Sequence, residues 1–528
     1  MLTTINLVLE YVLLFVTTIA LILGLHYNLQ MFQQNGYKNG EFYHWLMKND
    51  ARQRFLYLLA FFMVVLVIWD DAPVVQLIFF IMTIIWTIAI IFAYALYWRT
   101  ETKKKLVVTA RVKRLIATVV ILYALLFIAF YKEMWFWALV YLIWLPEVVI
   151  LCNVINHPIE AGINRHYIKD AQRILRENPQ IKIIGITGSY GKTSMKYYLN
   201  TLLKDFYDVL ITPGNFNTTL GVVRTIREHM KPSNQIFLCE MGARHVHDIK
   251  EICDLFPPQE GIITSIGPQH LETFHTQENV VKTKFELADA VPDGNRIYLN
   301  ADNPFELEKA AEYTNRRKVV FYSYKSDKGY HASEVRLTTL GTEFTLTAPD
   351  GETARFAMRL IGEHNVINVC GAIAVAHEQG IPLEKLRVPV RRIEPVPHRL
   401  QMIQRGDVTI IDDAYNSNPA GSKAAVETLH MFSGIRILVT PGMVELGDKE
   451  EDYNYKFGTY AAANCDYILL VGRMSHTDPI KKGALDSGFP ESKVRSFEDL
   501  QGAMNCAYGI SGEGHKYILL ENDLPDAY

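Results

Sequence analysis

The sequence lacks several features that would place it in familiar classes. Its six cysteines, Cys152, Cys239, Cys253, Cys370, Cys465 and Cys506, are scattered, and none forms a C-x-x-C pair. That argues against a disulfide scaffold and a thiolate zinc site, and it fits a reducing compartment for the soluble part. Neither charge dominates: the formal net charge is -3, and there is no basic tail or Arg-rich tract. No nucleic-acid partner is expected. The first apolar run has no basic start and no small-residue cleavage site, so it reads as a retained helix rather than a signal peptide. Apolar residues at 49% and charged residues at 21% are ordinary averages, but they hide two unlike halves. Residues 1–155 are dominated by apolar runs, and the rest has the composition of α/β protein.

The apolar runs fall near 5–25, 53–69, 74–97, 115–131 and 134–153. A helix needs about 20 apolar residues to cross a bilayer, so the expectation is a transmembrane region of about five helices over 1–155. Lys38, Lys48 and Arg52 follow the first run. Arg99, Lys103, Lys104, Lys105, Arg111, Lys113 and Arg114 follow the third. The positive-inside rule puts both loops in the cytoplasm and delivers residue 156 onward to the same side. Glu147 is an acidic residue inside an apolar run, a candidate for function or for snorkelling. Residues 156–177, with Arg165, Lys169, Arg173 and Arg176, read as a juxtamembrane linker helix suited to an anionic leaflet.

Residues 182–187 form a β-rich run, followed by Gly188-Ser189-Tyr190-Gly191-Lys192-Thr193-Ser194 and a helical pattern. Strand, glycine loop and helix in that order make a phosphate loop. Its N–H groups and helix dipole attract phosphate, Lys192 neutralises it, and the Thr193 hydroxyl suits Mg²⁺. Ile186 stands where the common G-x-x-x-x-G-K-[ST] form has its first glycine. Ile236–Glu240 is an apolar run ending in a carboxylate, and Ile262–Gly267 reads as a third strand running into Pro268-Gln269-His270. Strand ends of one parallel sheet are where such folds bind ligands.

These segments resemble the Mur ligase family, and within it the branch that adds D-Ala-D-Ala to a muramoyl tripeptide. Further matching segments are Thr212–Asn217, Glu240–Arg244, Gly267–Leu271, Lys282–Glu286, Leu299–Asn303, Gly362–Asn368, His398–Gln401 and Asp412–Pro419, in the family's order. The resemblance implies two α/β domains behind the transmembrane region: a P-loop central ATPase domain over 178–390 and a Rossmann-like C-terminal domain over 391–528. It implies an ADP-forming acid–amino-acid ligase that uses ATP and Mg²⁺ through an acyl phosphate. Thr193, Glu240 and His270 would be metal ligands. Lys284 matches the lysine that the family carbamylates, which would make it a further ligand. Gly188, Ser189, Gly191, Lys192 and Ser194 would hold the phosphates. Asn300, Asp302, His364, Asn365 and Asn368 would meet adenine and ribose. Arg399 and Asp413 would reach the nucleotide from the last domain, with Tyr415, Asn416 and Asn418 at the same interface. Asn215 and Asn217 fall on the substrate side.

Two departures bear on the substrates. The membrane-like region occupies the place of the family's UDP-gripping domain, so the carboxylate acceptor is either a UDP-linked muramoyl peptide or a lipid-linked one. The late Lys-Gly-Ser element of this branch is absent, and Lys516–Leu520 runs instead into Glu521-Asn522-Asp523. The amine, an amino acid or dipeptide, is therefore open, as is the oligomeric state. The implied location is the cell membrane, with membrane lipid as a partner and the catalytic domains in the cytoplasm. Other readings are a ligase acting on another polymer such as poly-γ-glutamate, and a membrane P-loop NTPase or transporter.

Overall fold

The computed structural model describes residues 2–49, 73–99, 105–338, 341–395, 398, 400–414, 418–444, 446–472, 474–512 and 514–522. The chain divides into one compact unit up to Arg165 and a second from His166 to Leu524.

Among the described residues of the first unit, three helices are long and apolar enough to cross a membrane: Leu7–Gln34 within Leu2–Gln34, Leu77–Leu96 within Pro73–Arg99, and Ala110–Ala129. These carry the expected first, third and fourth runs; the second, 53–69, lies outside the described residues. Phe15, Ile22, Met82, Phe92 and Ile128 point outward at 63–75% exposure. The fifth run is not one straight span. Met134–Ile143 ends at Trp144, and a new helix, Leu145–Glu177, leaves it at 80°. Pro146 lies in the first turn of that second helix, where a missing N–H costs nothing. Glu147 shares the turn, where the positive helix end favours a carboxylate. The linker helix expected at 156–177 is likewise not separate, because it continues the helix begun at Leu145. Its later part, Ile168, Ala171, Ile174 and Leu175, packs in the second unit with Val222, Ile226 and Phe256.

The second unit holds two sheets. The first comprises β1 (Lys182–Thr187), β2 (Val209–Ile211), β3 (Ile236–Glu240), β4 (Glu260–Ile263), β5 (Arg296–Asn300), β6 (Lys318–Ser323), β7 (Tyr330–Thr338), β8 (Gly341–Thr347) and β9 (Thr353–Met358), in the order β2-β3-β1-β4-β5-β6-β7-β8-β9. Pairings are parallel through β7, and β7–β9 form an antiparallel extension. The β1 run is buried almost throughout because helices cover both faces of a parallel sheet.

The second sheet comprises β10 (Gln401–Arg405), β11 (Val408–Asp413), β12 (Ile435–Thr440), β13 (Tyr467–Val471), β14 (Val494–Phe497) and β15 (Lys516–Glu521). Its order is β10-β11-β15-β12-β13-β14, parallel except for the β10–β11 hairpin. The central strands β11, β12, β13 and β15 are apolar runs in the sequence, Val408–Ile411, Ile435–Thr440, Tyr467–Val471 and Tyr517–Leu520. The edge strands β10 and β14 are not legible there, because half-exposed edges need no apolar run.

Candidate active site

Ile186 explains the unusual phosphate loop. It is fully buried inside β1, paired with Glu240 of β3 and Ile262 of β4, so the position of the common form's first glycine belongs to the strand here. The turn begins at Gly188, whose φ is +148° and whose missing side chain leaves room for the Thr264 hydroxyl. Gly191 follows at φ +80°, and a Cβ there would come within 2.9 Å of Asn368 Oδ1. Only glycine suits both positions. The helix Lys192–Leu203 starts directly behind, aiming its free N–H groups at the loop.

The loop is braced from β4. Ser189 N–H donates to Ser265 O at 2.7 Å and Ser189 Oγ to Gly267 O at 2.9 Å. Tyr190 Oη donates to Pro268 O at 2.7 Å, and the Thr264 hydroxyl donates to Tyr190 O. The third strand expected at 262–267 therefore stops at Ile263, and the released residues 264–268 wrap the phosphate loop instead. Lys192 Nζ donates to Gly188 O at 2.6 Å and Ser189 O at 3.0 Å, so its cation lies over the turn. Ser194 is buried in the first turn of the helix.

Glu240 sits at the end of β3, 1% exposed. Thr193 Oγ1 donates to its Oε1 at 3.0 Å, and Asn217 Nδ2 donates to the same atom at 3.2 Å. Asn217 is thus part of the carboxylate's surroundings, whereas Asn215 is exposed. Lys196 Nζ lies 2.8 Å from Glu240 Oε2 and donates to Gly214 O at 2.6 Å. Sequence reading missed Lys196. Its signal was a lysine one turn beyond Lys192 among the residues that the helix buries.

Lys284 lies on the helix Gln277–Ala290, 1% exposed, its Nζ 5.9 Å from the Phe274 ring centre. Burial first, and then the Lys192 cation, hold its amine well below the ordinary lysine range. Lys192 and Lys284 therefore face one site. His270, at φ +52°, opens the short turn Leu271–Phe274 that ends against Lys284. The buried carboxyl of Glu306, a second residue not foreseen, accepts from Asn300 N–H at 2.7 Å, and burial holds its pKa well above the ordinary carboxyl range.

The remaining candidates serve largely to shape this edge. Asn300 Oδ1 accepts from Asp302 N–H at 3.0 Å, and Asp302 Oδ2 accepts from Tyr324 and Lys325 N–H. Asn365 is spent internally: Tyr198 Oη donates to its Oδ1 at 2.7 Å, and its Nδ2 donates to Ile361 O at 2.8 Å. Asn368 touches Gly191, and the His364 ring lies beside Gly362. Asp413 accepts from Leu400 N–H at 3.1 Å, and Asp412 holds His398 Nδ1 at 2.7 Å. Asn418 caps the helix Pro419–His430 through Gly421 N–H. Arg399, Tyr415 and Asn416 lie outside the described residues. The second sheet's domain still reaches this neighbourhood: Ile361 packs in its core, Thr428 lies beside Gly362, and Tyr453 is near enough to reinforce the upward pKa shift that burial gives Tyr190.

The residues present fit a divalent cation, since a hydroxyl and a buried carboxylate meet beside a phosphate loop and a buried amine with a lowered pKa lies near its lysine. Among the described residues no group of three or more His, Cys, Asp or Glu side chains is arranged around a metal position.

Comparison with known proteins decides the family. The Mur ligase middle domain matches residues 186–376, and the Mur ligase glutamate ligase domain matches residues 398–520. The UDP-N-acetylmuramoyl-tripeptide–D-alanyl-D-alanine ligase of Escherichia coli (strain K12) is 30% identical over 332 residues, which are 61% of this chain and 73% of that enzyme. This chain belongs to the Mur ligase family. The enzyme of the same name from Mycobacterium tuberculosis (strain ATCC 25618 / H37Rv) is 38% identical over 318 residues, 58% of this chain and 62% of that enzyme. MurF from Acinetobacter baumannii has the same fold over 69% of this chain and 78% of its own, with a TM-score of 0.62 and 25% identity. Mur ligases are ATP-dependent, ADP-forming enzymes that use Mg²⁺, and the enzyme class of this chain is theirs.

Proposed function

We propose that the protein joins a D-Ala-D-Ala-type amine to a muramoyl-peptide carboxylate in cell-wall precursor synthesis. The observation that carries this reading is the Thr193–Glu240–Lys196 cluster beside the phosphate loop, in a chain whose relatives bear that name. A carboxylate is a poor electrophile because oxide is a poor leaving group. Its oxygen attacks the γ-phosphorus of ATP, ADP departs, and the acyl phosphate forms. The amine then attacks the acyl carbon, loses a proton, and phosphate departs with the former carboxylate oxygen. Lys192 and the helix N-terminus hold phosphate oxygens. Thr193, Glu240 and His270 would hold Mg²⁺, which supplies positive charge against two crowded anions. Lys284 supports carbamylation at its site: burial lowers the pKa of its amine and so favours the neutral form that attacks CO₂, and the carbamate would be an anionic ligand for metal.

The outward apolar faces in the first unit favour a second reading of the acceptor, one presented by the membrane rather than carried on UDP. The protein is then a multi-pass membrane protein with its catalytic domains in the cytoplasm. Purified full-length enzyme is assayed for phosphate release with ATP, D-Ala-D-Ala and either UDP-muramoyl tripeptide or its lipid-linked counterpart. Turnover with the UDP form at least equal to the lipid form supports the soluble acceptor; turnover with the lipid form alone supports the membrane acceptor. Phosphate release independent of any acceptor and amine overturns both.

A further inference from the structure

Two polar helix faces meet inside the first unit. On Ala110–Ala129, Arg111, Arg114 and Thr118 recur at helical spacing; on Leu145–Glu177, Asn153, Asn156 and Glu160 do the same. The faces interlock. Arg114 grips Glu160 with two bonds, of 2.6 and 2.8 Å, and Thr118 Oγ1 donates to Asn156 Oδ1 at 2.9 Å. Arg111 Nη2 donates to Asn153 Oδ1 at 3.0 Å, and its guanidinium lies 4.2 Å from the Tyr37 ring centre. Asn153 in turn donates to Asn39 Oδ1 at 2.9 Å and Tyr37 O at 3.3 Å.

The inventory does not close. Glu160 is consumed by the bidentate pair with Arg114. Among the described residues no carboxylate forms an ion pair with Arg111, and its Nε is buried without a hydrogen-bond partner. The Nδ2 of Asn156, a residue 4% exposed, is also buried and unpartnered. Unmet buried donors are costly, and Glu160, shared with Arg114, offsets the Arg111 charge only in part. The placement compounds this. Arg111, Lys113 and Arg114 crowd the start of a helix capped by Thr109, the end whose dipole repels cations. An anion would answer both deficits. Planar donors around a half-buried arginine suit phosphate oxygens, and the adjoining helices are apolar and outward-facing.

We propose that Arg111, with Asn156 on the facing helix, binds the phosphate headgroup of an amphiphile whose chain lies along the apolar helices. The proposal rests on the membrane reading of these helices and not on the identity of the ligase substrates. The acceptor assay above can therefore fail without touching it.

Full-length protein in a zwitterionic detergent is titrated calorimetrically with dodecyl phosphate, dodecanol and inorganic phosphate. Dodecyl phosphate is expected to bind and dodecanol is not. Arg111→Gln should weaken dodecyl phosphate roughly tenfold or more, and Arg111→Lys should weaken it less because the charge remains. Glu160→Gln releases Arg114 and should tighten binding, which a purely structural zipper would not do; this variant keeps the test decisive where Arg111→Gln fails to fold. Inorganic phosphate binding as tightly as dodecyl phosphate would overturn the lipid source. Equal binding of dodecyl phosphate and dodecanol, or no change in any variant, would overturn the site.

Discussion

Lys196 Nζ and Glu240 Oε2 lie 2.8 Å apart, with both side chains at most 1% exposed. The pair ties the helix behind the phosphate loop to the end of the neighbouring strand. Removing one partner of a buried pair strands the other charge, so Lys196→Met should destabilise the fold by roughly 3–5 kcal/mol. Lys196→Met combined with Glu240→Gln should cost less than the sum of the two single changes. Chemical denaturation of the four proteins measures this, and strict additivity would show that the pair is not coupled.

Thr193 is expected to act through its hydroxyl, not its shape. Thr193→Val keeps the branched shape and should lower ATP turnover by ~10²-fold, whereas Thr193→Ser should stay within a few-fold of wild type. A Mg²⁺ titration of each variant checks the cause: the valine protein should need more metal for half-maximal rate. Equal metal dependence would remove Thr193 from the metal site.

Lys284 carries the carbamate proposal. Because its amine is held below the ordinary lysine range, it remains neutral at pH values where a surface lysine is charged, and carbamylation survives at correspondingly lower pH. Lys284→Ala should cost ~10²-fold in rate, with partial rescue by formate or acetate, which restore a carboxylate but not an amine. Rescue by methylamine instead would assign Lys284 an unmodified cationic role.

Glu306 sets a pH dependence of stability. Its carboxyl is held well above the ordinary value of 4.5, so the folded chain keeps a proton that the unfolded chain releases. Stability tied to that proton is fully present below the unfolded value and declines as pH rises toward the folded one. Glu306→Gln removes the titration, so its gain in Tm over wild type should grow as pH rises above the ordinary carboxyl range. A gain flat with pH would contradict this.

Much of the catalytic core was legible in sequence because it is local. Strand, turn and helix from Lys182 to Leu203 follow one another, and Glu240 is marked by the end of an apolar run. Lys196 was not legible, because its meaning depends on a strand end far along the chain. The break at Trp144 escaped for a related reason: residues 134–153 are apolar on both sides of the bend, and only Pro146 hinted at it. Asn365 was read as a nucleotide contact, yet it holds Tyr198 and Ile361 O, a use that only tertiary packing reveals. His270 and Lys284 stood out through the family pattern alone; the turn Leu271–Phe274 that His270 opens ends with Phe274 against Lys284.

The central claim is that ATP activates a carboxylate as an acyl phosphate. The direct measurement is turnover of an acceptor whose carboxylate carries ¹⁸O, followed by mass spectrometry of the released phosphate. One ¹⁸O should appear in phosphate for each amide formed, with ADP as the nucleotide product. Amide formation that leaves phosphate unlabelled, or that yields AMP, would contradict it.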